Sequence, residues 1–309
     1  MEFYRKNHIK EHYMAYKGRR VKKKPLHKRP SFWIGILTVV VMIALTVGIL
    51  AALQSDMFTI RTPDPTTAPT SGERPEVETE ATLPPPPTNP YGPVDFMQEE
   101  SGEMTFLSGE AVKGIDVSTW QGTIDWQQVR DSGVEFVMIR VGGRGTESGA
   151  LYEDDMCRTY YEGAKAAGLK VGAYFFSQSI TLEEAVEEAE YTLDIVRDWE
   201  LEMPVVYDWE YIGDGARTDY MNARLLTDMA KAFCDTVRNA GYDPMIYFGR
   251  SHSTDLLHLE ELTDYGFWLA MYNPIMDYPY QIDIWQYTET GTVPGISGNV
   301  DMNLWLPYE

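Results

Sequence analysis

The chain has 309 residues, 44% hydrophobic and 24% charged, which allows either two domains or one large core with attachments. Its formal net charge is −21, yet residues 1–30 hold 11 Lys/Arg against Glu2 and Glu11, a local +9 that leaves −30 for the rest. Only His252 and His258 lie beyond residue 110, so a His-rich zinc centre or a Ser-His-Asp triad has little material.

The charge asymmetry describes a chain that lives on two sides of a barrier. Residues 31–53 (SFWIGILTVVVMIALTVGILAAL) contain no charge, and at about 1.5 Å per residue they span the roughly 30 Å hydrocarbon core of a bilayer. The small pair Ala51-Ala52 suits a cleaved signal peptide, but the apolar run and the basic region before it are both too long for one. An uncleaved signal anchor is therefore expected, with the basic arm cytoplasmic and everything after Leu53 outside the cell membrane. The membrane span next to that arm accounts for its charge without nucleic acid. Residues 54–110 carry ten of the 18 prolines together with many Thr and Glu, the composition of a disordered, semi-rigid spacer.

Residues 111–309 alternate strand and helix signals, the pattern of βα units around a parallel sheet. Strands are expected at 113–118, 136–142, 170–177, 204–210 and 244–249, with helices at 125–133, 153–168, 181–199 and 223–241 between them. Thr181-x-x-Glu184 fits a capping box at the start of the third helix. After residue 249 the rhythm fails: a short helix within 250–258 is followed by strands at 266–272, 283–287 and 300–305 with little helix between them. Five regular βα units and three further strands predict an irregular, TIM-like (β/α)5β3 barrel.

Pro204-Val-Val-Tyr-Asp-Trp-Glu210 is the stretch that points to chemistry. Side chains alternate along a strand, so Asp208 and Glu210 leave on one side with Val206, while Val205, Tyr207 and Trp209 form an opposite, apolar face. Paired carboxylates at the C-terminal end of a buried parallel strand mark an active-site mouth. Asp116 and Asp301 end or begin other strands and join them as candidates. Tyr174, Tyr247, Tyr272 and Gln286 fall on strands that reach the same mouth, and Trp120, Trp268, Trp285 and Tyr287 are expected to add aromatic surface. Aromatic faces beside carboxylates suit a glycan, whose ring faces are apolar and whose rims hydrogen-bond. There is no G-x-S-x-G elbow and no G-x-x-x-x-G-K-[ST] loop. Cys157 and Cys234 lie on helices that a barrel separates by one intervening helix, so two buried free thiols are expected.

Lys113-Gly-Ile-Asp-Val-Ser-Thr-Trp-Gln-Gly122 followed by Ile124-Asp-Trp126 resembles the opening signature of the family 25 glycoside hydrolases, the N-acetylmuramidase lysozymes. Gly172-Ala-Tyr-Phe-Phe-Ser177, Asp208-x-Glu210, Ala270-Met-Tyr272, Trp285-Gln-Tyr287 and Val300-Asp301 resemble further blocks of that family in order. The resemblance covers 113–309 and implies a (β/α)5β3 barrel with Glu210 as proton donor and Asp208, Asp116 and Asp301 completing an acidic site. It implies a hydrolase that cleaves the β-1,4 bond between N-acetylmuramic acid and N-acetylglucosamine in peptidoglycan strands. No cofactor or metal is expected, Mg²⁺ or Ca²⁺ held by Asp116, Asp208, Glu210 and Asp301 being the lesser reading of that cluster. Two departures stand out: Phe175 where many members carry His, and Ile139-Arg-Val-Gly142 in place of a Thr-Glu pair. A wall-glycan-binding module without activity and a metal-dependent phosphodiesterase on a similar barrel are the alternatives.

Overall fold

The computed structural model describes residues 83–213, 215–306 and 308. The expected basic arm, the span at 31–53 and the spacer as far as residue 82 lie outside the described residues. Among the described residues no helix is long and apolar enough to cross a membrane.

In chain order, a small hairpin of β1 (Phe96–Gln98) and β2 (Met104–Phe106) precedes β3 (Val112–Val117). Helix α1 (Trp126–Asp131) leads to β4 (Phe136–Arg144), which is extended by the short β5 (Leu151–Glu153). The alternation then continues through α2 (Cys157–Ala166), β6 (Lys170–Ser177), α3 (Leu182–Val196), β7 (Val205–Trp209), α4 (Ala223–Asn239) and β8 (Pro244–Gly249). A one-and-a-half-turn α5 (Arg250–Asp255) precedes β9 (Gly266–Ala270), and β10 (Ile284–Gly291) and β11 (Val300–Trp305) follow without a helix.

Eight of these strands close a barrel in the order β3-β11-β10-β9-β8-β7-β6-β4, sealed by pairing of β3 with β4. Every pair from β3 through β10 is parallel, whereas β11 runs antiparallel to both β10 and β3. The barrel is thus the irregular eight-stranded form that the failing βα rhythm suggests. Helix starts follow from short polar side chains that take up otherwise unpaired backbone N–H groups. Thr181 Oγ1 accepts from Glu184 N at 3.2 Å while Glu184 Oε2 accepts from Ile180 N at 2.9 Å, and Asn222 Oδ1 accepts from Leu225 N at 3.0 Å.

Alternation along the strands divides the apolar residues into two layers. Phe136, Met138, Val206, Met245, Tyr247, Trp268 and Ile284 fill the barrel interior. Ile115, Val137, Ile139, Tyr207, Phe248 and Leu269 point the other way, into a continuous layer that includes Ala164, Ala189, Phe233 and Val237 of the helices. Gly114 is required inside, because a Cβ there would lie 2.2 Å from the Phe136 ring. Cys157 and Cys234 are buried free thiols on α2 and α4, with α3 between them in the chain.

One expectation needs correction. The spacer does not run disordered to residue 110: its described part folds onto the barrel. Thr88 bridges Tyr280, Asn89 N donates to Pro279 O at 2.9 Å, and Gln281 N donates to Pro87 O at 2.8 Å. Phe96, Met104 and Phe106 are buried, with the Phe96 ring edge-on to Trp285 at 5.0 Å and Tyr91 stacked on Tyr308 at 5.6 Å. The physical reason lies at the other end of the chain. No helix follows β9 or β10, so the outward apolar residues of β10 have no helix to cover them, and the hairpin takes that place.

Candidate active site

The acids sit where the strand pattern puts them. Val205, Tyr207 and Trp209 of β7 pack in the outer layer and Val206 in the interior, so Asp208 also points inward, with Glu210 one pleat beyond the strand end. Asp208 pairs in register with Tyr247 on β8, and Asp116 pairs with Asp301 across β3 and β11. Four carboxylates from three strands therefore occupy one end of the barrel. Glu210 is also held from behind: the buried Gln178 side chain donates from Nε2 to the Glu210 carbonyl at 3.1 Å and accepts from Thr218 Oγ1 at 3.0 Å.

Asp116 is fixed by a buried relay. Its Oδ2 accepts from Gln286 Nε2 at 2.9 Å and from Asn303 Nδ2 at 2.8 Å. Asn303 Oδ1 accepts from the Trp268 indole at 2.8 Å, while Gln286 Oε1 accepts from the Tyr247 and Tyr272 hydroxyls at 3.0 and 2.8 Å. The relay is fully donor-matched, which fixes the amide orientations of Gln286 and Asn303. Asp208 is different: Oδ1 is buried and has no hydrogen-bond partner among the described residues.

Burial raises every carboxyl of the cluster, because a low-dielectric site penalises the charged form, and like charges add to it. Asp116 is pushed up to about 6 by burial, against the Asn303 and Gln286 hydrogen bonds and with the charge of Glu210. Asp301 is pushed to about 8 by burial, then by Asp116 and Glu289. Glu210 is raised by burial, Asp301 and Glu289, and Asp208 well above its usual range by burial, Glu210 and Asp116. Arg140 pulls Asp208 back down. Such a cluster carries fewer than four negative charges at neutral pH, and a carboxyl that keeps its proton there can act as a general acid.

The structure sorts the aromatic candidates. Tyr174 and Tyr247 point into the barrel beneath the acids, Trp120 is 82% exposed just beyond β3, and Tyr272 is 49% exposed beyond β9. Trp268 belongs to the interior relay and is buried beneath the acids. Trp285 and Tyr287 do not reach the mouth at all: they alternate with Gln286 and so face the outer layer, where both are buried. Asn303 and Arg140 are site residues that the sequence reading missed. Arg140 Nε and Nη2 donate to Asp154 Oδ2 at 2.9 and 2.7 Å, and the same oxygen accepts from Thr119 N at 3.0 Å, tying the turn that carries Trp120 to the cluster. Among the described residues no three His, Cys, Asp or Glu side chains gather as a metal-ligand group.

A groove of about 730 Å³ opens from this cluster across the ends of β7, β8 and β9, lined by Glu210, Tyr247, Arg250, His252, Tyr272 and Asn273 among others. An open groove ending at clustered carboxylates is a shape that admits a polymer chain.

The family model for glycosyl hydrolases family 25 matches residues 115–296. The autolytic lysozyme of Clostridium acetobutylicum is 31% identical over 195 residues, covering 62% of this chain and 55% of that protein. Lysozyme M1 of Streptomyces globisporus is 31% identical over 206 residues, 62% of this chain and 67% of that protein. Among solved structures, the modular autolysin LytC from Streptococcus pneumoniae in complex with a synthetic peptidoglycan ligand is similar, with a TM-score of 0.58 and 26% identity over 68% of this chain and 52% of that one. The bacterial lysozyme from Streptomyces coelicolor gives a TM-score of 0.52 and 27% identity over 64% of this chain and 93% of that one. The chain thus spans about half the length of the Clostridium and Streptococcus relatives. With 182 of its residues inside the family match, and Asp116, Asp208 and Glu210 of the acidic barrel mouth among them, the chain belongs to glycosyl hydrolases family 25.

Proposed function

We propose that this protein is a muramidase, hydrolysing the β-1,4 bond between N-acetylmuramic acid and N-acetylglucosamine in peptidoglycan, with Glu210 as the proton donor. The observation that carries it is the position of Glu210: at the rim of an open groove, its carboxyl raised by burial and by Asp301 and Glu289, one pleat beyond Asp208. Cleavage of a glycosidic bond requires a protonated acid at the leaving oxygen and negative charge near the developing oxocarbenium ion. The relatives named as lysozymes and the peptidoglycan ligand bound to the Streptococcus autolysin support the same substrate class.

The unpartnered Asp208 Oδ1 supports a substrate-assisted route. In that route the 2-acetamido N–H of the muramoyl residue donates to Asp208, which turns the acetamido oxygen toward C1. As the C1–O bond breaks, Glu210 gives its proton to the leaving oxygen and the acetamido oxygen forms a bond to C1. Water then opens this ring at C1 and returns its proton to Glu210, so the configuration at C1 is retained. The Cα atoms of Asp208 and Glu210 are about 6.5–7 Å apart at i, i+2 spacing, which fits one group beneath the ring and one beside the bond. The uncharged run at 31–53 supports a single-pass membrane tether with the barrel on the wall side, where such an enzyme cuts within reach of its anchor. NMR of the first-formed product tests the route: it predicts the retained anomer and loss of most activity in Asp208→Asn, and an inverted first product overturns it.

A further inference from the structure

The mouth is built from carboxyl groups, so a cation in its groove needs an explanation. Among the described residues lining the groove from Glu210, Arg250 is the one Lys or Arg, and the neighbouring His252 is held toward its neutral form by burial. The Arg250 guanidinium, half-exposed at the start of α5, donates from Nη1 to Met271 Sδ at 3.2 Å and to Asp277 on the β9–β10 connection. Its Nε and Nη2 have no hydrogen-bond partner among the described residues. The Asp277 carboxylate is also about half exposed, and such surface ion pairs contribute at most about 1 kcal/mol, so the pair can be exchanged for another carboxylate at little cost. A guanidinium with free N–H groups beside apolar lining is suited to a carboxylate carried on an otherwise uncharged polymer.

We propose that Arg250 is a carboxylate-binding subsite for the side arm of the muramoyl residue whose bond is cleaved, a proposal that rests on the muramidase reading above. That sugar carries a lactyl group at O3, from which the wall peptide extends. Asp208 is level with Tyr247 on β8, and Arg250 lies three residues further toward the rim, roughly 8–10 Å at about 3.3 Å per strand residue. A lactyl unit and one extended residue, at roughly 3.5 Å each, reach about 7 Å from the sugar. The matching group is therefore a carboxylate on the second residue of the peptide, with the lactyl carboxylate of a peptide-free sugar as the alternative source.

The test compares kcat/KM of the full-length protein on three preparations of the same glycan strands. In one the peptide arms are intact, in one their carboxylates are converted to amides, and in one an amidase has removed the peptides to leave lactyl carboxylates. The wild type is expected to prefer intact over amidated strands by about tenfold, the scale of one charge-assisted hydrogen bond at a half-exposed site. Arg250→Gln loses that preference. Asp277→Asn, which removes the competing carboxylate, increases it. A structural ion pair predicts that both variants shift the preference alike or not at all, and that outcome overturns the subsite, as does a wild type indifferent to amidation. Stripped strands cleaved at the amidated level confine recognition to the peptide carboxylate, and stripped strands cleaved at the intact level show that Arg250 takes a freed lactyl carboxylate as well. Absence of cleavage of all three preparations removes the muramidase reading itself, and the subsite with it.

Discussion

Asn303→Ala separates the function of the buried relay from its contribution to stability. Asn303 is fully enclosed, donates to Asp116 Oδ2 at 2.8 Å and accepts from the Trp268 indole at 2.8 Å. Its removal leaves the indole N–H unpaired in the barrel interior, which costs about 1–3 kcal/mol. At about 2–4 °C per kcal/mol for a domain of this size, Tm should fall by roughly 2–12 °C. The second effect is on charge. Asn303 is the strongest influence holding Asp116 down against its burial, and Asp116 stands at about 6 with it in place. A hydrogen bond to a charged group contributes about 1.5 kcal/mol, which corresponds to about one pH unit. Without it Asp116 holds its proton to higher pH, so the limb of the kcat/KM profile that reports Asp116 should move upward by about one unit. Reducing-end assays between pH 4 and 9, with differential scanning fluorimetry on the same samples, read both effects. A lower Tm with an unmoved limb would show that the relay only packs the barrel, and an unchanged Tm would contradict the contact itself.

Further expectations follow from other parts of the structure. Phe96→Ala should lower Tm by roughly 6–12 °C, from a loss of about 3 kcal/mol for a buried ring at about 2–4 °C per kcal/mol, because this ring helps to cover Trp285; an unchanged Tm would place the hairpin outside the folding unit. Asp301 is pushed from 3.8 in its ordinary state to about 8 in the fold, so its contribution is fully present below about pH 4 and is lost as pH rises through about 8. Asp301→Asn should accordingly raise Tm by several times more at pH 8.5 than at pH 5, and equal shifts at both pH values would refute that sign. Protease added to intact protoplasts should remove the barrel and spare residues 1–30; a soluble product beginning near Gln54 would instead identify 31–53 as a cleaved signal.

Much of the barrel is legible in the chain. Strand bounds at Lys170–Ser177, Pro244–Gly249 and Val300–Trp305 coincide with apolar runs. The α3 start follows from the Thr181–Glu184 pair alone. The hairpin at Phe96–Phe106 is not legible: two three-residue strands show no periodicity, and the surrounding Pro and Glu dominate the composition. The misplacement of Trp285 and Tyr287 has a different origin. Gln286 between them faces inward, so strand alternation by itself sends both aromatics outward, a constraint that the order Trp-Gln-Tyr already contains. The same rule places Asn303 on the face of Asp301, two residues away, so a polar residue inside an apolar strand is the signal for the relay. Arg140 and Asp154 are not predictable as a pair, because the turn that joins them after β5 is set by tertiary packing.

The central claim is that Glu210 is the acid of a muramidase, and mass spectrometry of peptidoglycan digested by the full-length protein tests it most directly. Wild-type digestion should place N-acetylmuramic acid at the new reducing end, and Glu210→Gln should release none while still sedimenting with purified walls. New ends that carry N-acetylglucosamine, or near-normal release by Glu210→Gln, would contradict the assignment.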